Sequence, residues 1–287
     1  MVTYNPKDWF HLIVQFHKSD TFRQLIPAML GIGAFSAVIV VLEINYFQWT
    51  FKNSSIVHSI LGFVLSMLLV FRTNTAYDRW WEGRKIWGDL LNNSRNLALK
   101  ISAFVNDKRT KEELISLIIN YNFSLKNHLR NKAGLDELIA LSDEFKHELT
   151  NTVHKPNLIA KQLYKKIADL NKQQQISDTQ FLTLNDELKS FTNSAGACER
   201  IKNTPIPYSY SLFLKKIIFL YVLTIPFMFA TDFKYGTIII SIAMLYVFAS
   251  IELIAEEIED PFGEDDNDLP IDDICQRIQT NLIDIIK

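Results

Sequence analysis

A chain of 287 residues with 30 Lys and Arg, 32 Asp and Glu and a net charge of −2 would, if soluble, make one large domain or two ordinary ones. The balanced total conceals segregation, because nineteen consecutive positions in 24–42 and again in 53–71 carry no Asp, Glu, Lys or Arg, as do fifteen in 217–231 and seventeen in 235–251. That pattern excludes an ordinary soluble enzyme, and the densely charged stretch 72–216 excludes a chain lying wholly in lipid.

Residues 1–23 are expected to form a cytoplasmic N-terminal helix. They lack the basic stub, continuous apolar core and small-residue cleavage site of a secretory signal, so the first apolar run should stay in the mature protein. A bilayer core about 30 Å thick needs roughly 20 helical residues. Runs 24–42 and 53–71 meet that length alone. The later two reach it once Lys215, Lys216, Lys234 and Glu252 snorkel at their ends. Residues 24–76 are thus read as transmembrane helices 1 and 2, and 211–254 as helices 3 and 4.

Positive charge sets the orientation. Lys7, Lys18 and Arg23 precede the first span, Arg72, Arg79, Arg84 and Lys85 follow the second, and Lys202, Lys215 and Lys216 precede the third. The connections 43–52 and 232–234 carry one lysine each. Both termini and the 77–210 region should therefore be cytoplasmic. Tyr46, Phe47, Trp49, Phe51, Phe233 and Tyr235 supply rings for the outer interface, where amphipathic aromatics prefer to lie.

The 77–210 region reads as helix almost throughout. LISLIINYNFSLKNHLR (114–130) and NLIAKQLYKKIADL (157–170) repeat apolar residues at three and four. Ser177 and Asp178 offer a helix start, and Pro205 and Pro207 end that helix ahead of the third span. There is no Gly-rich phosphate loop and no nucleophile elbow. The fold class is all-α: four membrane helices with a helical cytoplasmic body.

Candidate function gathers at the second span and its exit, ILGFVLSMLLVFRTNTAYDRWWEGRKIWGDLLNNSRNLA (60–98). Phe63, Met67 and Phe71 recur every fourth residue and form one apolar stripe. Gly62 and Ser66 lie off that stripe and, like Ser59, are small enough to allow close helix approach. Arg72, Asp78, Arg79, Glu82 and Arg84 crowd the inner boundary among Tyr77, Trp80, Trp81 and Trp87, where charges can pair with one another while the tryptophans anchor the interface. Cys198 and Cys275 are read as ordinary reduced residues, which excludes a disulfide scaffold. The histidines (His11, His17, His58, His128, His147 and His154) show no paired spacing with carboxylates of the kind that signals a metal site, and His58 lies where it could titrate at a pore mouth.

These residues carry a resemblance. FRTNTAYDRWWEGRKIWGDLLNNSRNLA, CERIKNTPIPYSYS (198–211) and IEDPFGEDDNDLP (258–270) resemble the bacterial branch of the bestrophin ion-channel family, in matching order along essentially the whole chain. The resemblance implies a homopentamer with four membrane helices per subunit around one central pore, continued into a cytoplasmic vestibule. It also implies a pore neck at Phe63, Met67 and Phe71 and a second, cytoplasmic constriction at Ile206. Apolar rings at a narrow point gate by dewetting, so charge preference must arise elsewhere along the path.

The 255–287 tail is strongly acidic: residues 252–273 hold eleven Asp or Glu and no Lys or Arg, leaving 30 basic against 21 acidic residues elsewhere. Animal relatives use the matching element as a calcium clasp. By position Glu257, Asp260, Asp265 and Asp268 would form the set for calcium or another divalent cation, with Asp260 replacing an Asn and Glu257 a Gln of the animal pattern. The spacing is not that of an EF-hand. No cofactor is otherwise expected. The resulting expectation is a passive channel of the bacterial inner membrane, passing monovalent cations such as sodium. Its partners would be further copies of itself, the lipid bilayer and monovalent ions, and no nucleic acid. A secondary transporter and a membrane-anchored scaffold or signalling protein are the rivals; the spans read as lacking the acid, base or broken helix pair a transporter site needs.

Overall fold

A computed structural model describes residues 20–47 and 54–287. The helix expected within 1–23 lies almost wholly outside them, as do Lys7, His11, His17, Lys18, Trp49, Phe51 and Lys52. Among the described residues there are nine α-helices and no strands: α1 (Asp20–Leu42), α2 (Ser54–Phe104), α3 (Lys108–Leu129), α4 (Asp143–Thr150), α5 (Lys155–Lys172), α6 (Asp178–Asn203), α7 (Tyr208–Phe233), α8 (Gly236–Glu259) and α9 (Ile271–Ile286). A π-helical turn, Glu43–Phe47, follows α1. The all-α reading and the four long apolar helices of the sequence are both present.

The chain divides into two compact units. One comprises the apolar helices α1, α7 and α8 with α2 as far as Arg79; the other comprises Trp80–Thr204 and Asp260–Lys287. In the apolar unit α8 packs on both α1 and α7, and α1 on α7. Leu65, Leu69, Ile218, Val222, Ile225, Leu245 and Phe248 fill its interior. Gly62 of α2 faces Tyr221 of α7 so closely that an added Cβ would lie 2.7 Å from the phenol oxygen. This is the close approach anticipated from the small residues of this span.

The polar unit is built around α3, whose residues from Leu114 to Leu129 are nearly all buried. Asp107 caps its start by accepting from the Thr110 amide at 2.8 Å, and α5 and α9 pack along it. Ser177 and Gln180 form a reciprocal capping box that begins α6 at the position read from the sequence. The acidic tail is no loose appendage. α9 buries Ile271, Ile274, Cys275, Ile278 and Leu282 in the same core as Leu90, Leu97 and Ile101 of α2.

Two expectations need correction. Trp87 anchors no interface: it is fully buried in the core of the polar unit, where its large ring covers more apolar surface than a boundary position would allow. Glu252 does not snorkel. It is 3% exposed on α8 and faces Arg72, itself 1% exposed, because a buried guanidinium so near the apolar helices needs a counter-charge.

Candidate functional site

Helix α2 runs unbroken for 51 residues, past the apolar span and through the charged stretch that follows. Its buried edge carries Leu65, Leu69, Arg72 and Ala76, spaced by fours and threes as one helical face. Phe63, Met67 and Phe71 point the opposite way and are 66%, 45% and 58% exposed on the single chain. Successive members are separated by about 6 Å of helix rise, so the stripe is about 12 Å long. Ser66, Thr73 and Thr75 turn their hydroxyls back onto carbonyls four residues earlier.

Phe71 is followed by the buried Arg72, whose Nη2 lies 2.6 Å from Glu259 and whose Nε lies 3.5 Å from Glu252. Arg79 Nε donates to the Glu259 main-chain carbonyl at 3.0 Å. The boundary arginines Arg72 and Arg79 are thus tied to α8 rather than only to their own sequence neighbours, as the sequence suggested. The contacts of Arg72 also bury an acid and a base at the end of the spans, where the sequence suggested a snorkelling Glu252 and an Arg72 paired with its neighbours.

Ile206 stands half-buried between Pro205 and Pro207, whose rings fix the backbone on either side. Its amide donates to Glu259 Oε1 at 2.5 Å. One carboxylate therefore holds both the residue after Phe71 and the backbone of Ile206. Sequence reading singled out Phe71 and Ile206 but missed Glu259; its place between the fourth apolar run and the Asp-Pro-Phe-Gly element was the available signal.

His58 is not at an open mouth. It is 5% exposed and stacked on Tyr221 with ring centroids 4.0 Å apart, because a ring one turn before Gly62 falls on the face that α7 covers.

In the polar unit, the Pro-Phe-Gly turn is clamped from three sides. Phe262 is buried against Gly83, where an added Cβ would lie 3.0 Å from the ring. Arg130 Nε donates to the carbonyls of Phe262 and Gly263 at 3.2 and 3.1 Å, and its Nη1 to Asp272 at 2.8 Å. Trp80 Nε1 donates to the Asn267 carbonyl at 2.9 Å. Lys132 binds Glu264 at 2.5 Å, and that hydrogen bond holds the Glu264 carboxyl below its usual range. Burial pushes the Asp272 carboxyl upward, but Lys126 and Arg130 outweigh it and the net shift is down. Glu264 and Asp272 of the acidic segment are therefore paired within their own unit.

Of the four clasp candidates, Asp265 and Asp268 share one turn. Asp268 is 1% exposed, and its Oδ2 accepts from the Asp265 amide at 2.7 Å. Burial raises its carboxyl to about 6. Its buried Oδ1 has no hydrogen-bond partner, the one feature here that fits a cation. Asp260 is exposed, and Glu257 belongs to the other unit. Elsewhere, and against the sequence reading of the histidines, His128 and His154 meet at Glu199. Cys198 and Cys275 are buried free thiols, and burial pushes Cys198 up to about 12.

Comparison with known proteins agrees with this architecture. The family described as Bacterial/Fungal Bestrophin protein matches residues 1–284. A voltage-dependent anion channel-forming protein of Nostoc sp. is 34% identical over 99% of this chain and 94% of its own length. The voltage-dependent anion channel-forming protein YneE of Salmonella typhi is 31% identical over 99% of this chain and 93% of its own. A solved bacterial bestrophin homologue from Klebsiella pneumoniae is 28% identical and superposes with a TM-score of 0.84 over 91% of this chain and 98% of that one. With four apolar helices, a helical polar unit and a match running from one end to the other, the chain belongs to the bacterial/fungal bestrophin family.

Proposed function

We propose that this protein is a membrane ion channel in which five copies surround one pore, each contributing Phe63, Met67 and Phe71 of α2 to an apolar neck. The observation that carries this reading is the exposed stripe itself: three large apolar side chains one turn apart, directly opposite the face that α2 buries in its own subunit. Rings of such side chains make a barrier that water leaves readily, and widening them admits ions. Ile206, held by Glu259, forms the second constriction. The distribution of Lys and Arg supports an inner-membrane protein with both termini and the polar unit on the cytoplasmic side.

Two readings of charge preference have support. The names of the Nostoc and Salmonella relatives, matched over nearly their whole length, favour anions. A preference for monovalent cations such as sodium is favoured by the absence of Lys and Arg from 53–71 and by Asp260, Asp265 and Asp266, which stay exposed. The pairing of Glu264 and Asp272 with Lys126, Arg130 and Lys132 withdraws two carboxylates from that second argument. A cation at the acidic turn would draw on Asp265 and the partnerless oxygen of Asp268.

The test is reconstitution of pure protein in planar bilayers. Channel currents and a particle mass of five subunits are expected, and the reversal potential in asymmetric salt separates the two readings of preference. Saturable uptake coupled to a gradient would favour a transporter. No flux of any kind would favour a membrane-anchored scaffold.

A further inference from the structure

His128 lies in the last turn of α3, His154 caps the start of α5 and Glu199 stands near the end of α6. Three helices thus deliver one side chain each to a single point. His128 Nε2 is 2.8 Å and His154 Nε2 is 2.6 Å from the same Glu199 Oε1, and the two rings lie 4.5 Å apart. The three potential donor atoms fall within 4.8 Å of one another, the sole grouping of its kind among the described residues. Each side chain is about 30% exposed, and open grooves of about 580 and 320 Å³ border Glu199 and His128, giving an ion a way in.

We propose that His128, His154 and Glu199 form a binding site for a divalent transition metal of the zinc class. Two imidazole nitrogens and one carboxylate oxygen are the donors such a borderline ion takes, with water in the fourth position. Calcium and magnesium call for an oxygen-rich shell that this corner does not offer. Ligands about 2.0–2.1 Å from a tetrahedral zinc lie roughly 3.3 Å apart, so the present contacts open by about half an ångström on binding.

The proton inventory is consistent. Burial, with the neighbouring His154, lowers the pKa of His128 against the opposing pull of Glu199, which favours the neutral ring that a metal needs. His154 Nδ1 accepts from the Asn157 amide at 3.1 Å, which places its proton on Nε2. Ligation through Nε2 moves that proton to Nδ1 and releases the Asn157 amide to solvent, where Asn157 is already exposed. Lys202, the nearby cation, is engaged by the carbonyls of His128 and Leu129 and by Asn131 Oδ1.

The test uses the full-length protein in detergent, stripped of metal and titrated with Zn²⁺ against a chromogenic chelator, with bound metal counted by elemental analysis. One zinc per chain is expected. His128→Ala and His154→Asn should each weaken binding at least tenfold, and Asn retains an acceptor suited to the helix cap, so the second variant keeps its fold. Co²⁺ in place of zinc should give the visible absorption of a four-coordinate site. No saturable zinc, equal affinity in both variants, or equal competition by Ca²⁺ would overturn the assignment. None of these outcomes depends on whether the protein conducts.

Discussion

Glu259 joins the two proposed constrictions through one side chain, and Glu259→Gln separates its charge from its shape. The amide keeps one acceptor oxygen but replaces the other with an N–H donor. It can therefore still accept from the Ile206 amide, or face Arg72, but cannot serve both. Removing one partner of a buried ion pair costs about 3–5 kcal/mol. Glu252, 3.5 Å from Arg72, keeps one counter-charge in place, so the expected loss is that of a hydrogen bond to a charged group, about 2 kcal/mol. A loss of that size lowers the melting midpoint by about 4–8 °C. If the contact differs between closed and open channels, the same 2 kcal/mol shifts their ratio by up to about thirtyfold. Thermal melts in detergent and single-channel recordings read these two effects separately. Arg72→Met combined with Glu259→Gln should cost less than the sum of the single changes, because the Glu259 carboxylate that Arg72→Met strands is then neutral, while the buried Glu252 is stranded in both. Strict additivity, or a Glu259→Gln protein with unchanged melting and unchanged currents, would refute the reasoning.

Further outcomes are expected. Replacing Phe63, Met67 and Phe71 together with alanine should wet the neck and give larger or longer openings, and unchanged single-channel currents would remove the stripe from the pore. Gly62→Ala puts a methyl group 2.7 Å from the Tyr221 oxygen; that ring is stacked on His58 and cannot retreat freely, so a loss of about 1–3 kcal/mol should appear as a lower melting midpoint. Arg130→Ala frees the Phe262 and Gly263 carbonyls at once and leaves Asp272 to Lys126 alone, and faster hydrogen exchange in the 260–270 turn is the measurement. Asp268 titrates at about 6 when folded, above its ordinary value, so the folded protein holds this proton more tightly than the unfolded chain. Its contribution to stability is complete below about pH 4 and is lost as pH rises through 6. Asp268→Asn should abolish that part of the pH dependence, measured as the difference between the two proteins at pH 4.5 and 7.

The sequence by itself determined four apolar helices, a helical polar region, the start of α6 at Ser177 and the fourfold stripe of α2. Each depends on local period, charge-free length or capping chemistry, which neighbouring residues carry. It also marked Gly62 as a point of close approach, since a missing side chain is legible without its partner. Only the tertiary structure decided where the charges go. Arg72 meets Glu252 and Glu259 from a helix far along the chain, Arg130 holds the turn at Phe262, and His128, His154 and Glu199 converge from three helices. A side-chain pair in a folded protein is set by which helix faces are pressed together. That depends on the shape of the whole core, and spacing along the chain does not record it. Trp87 and Glu252 were misjudged for the same reason: polarity and position placed them at a boundary, and packing buried both.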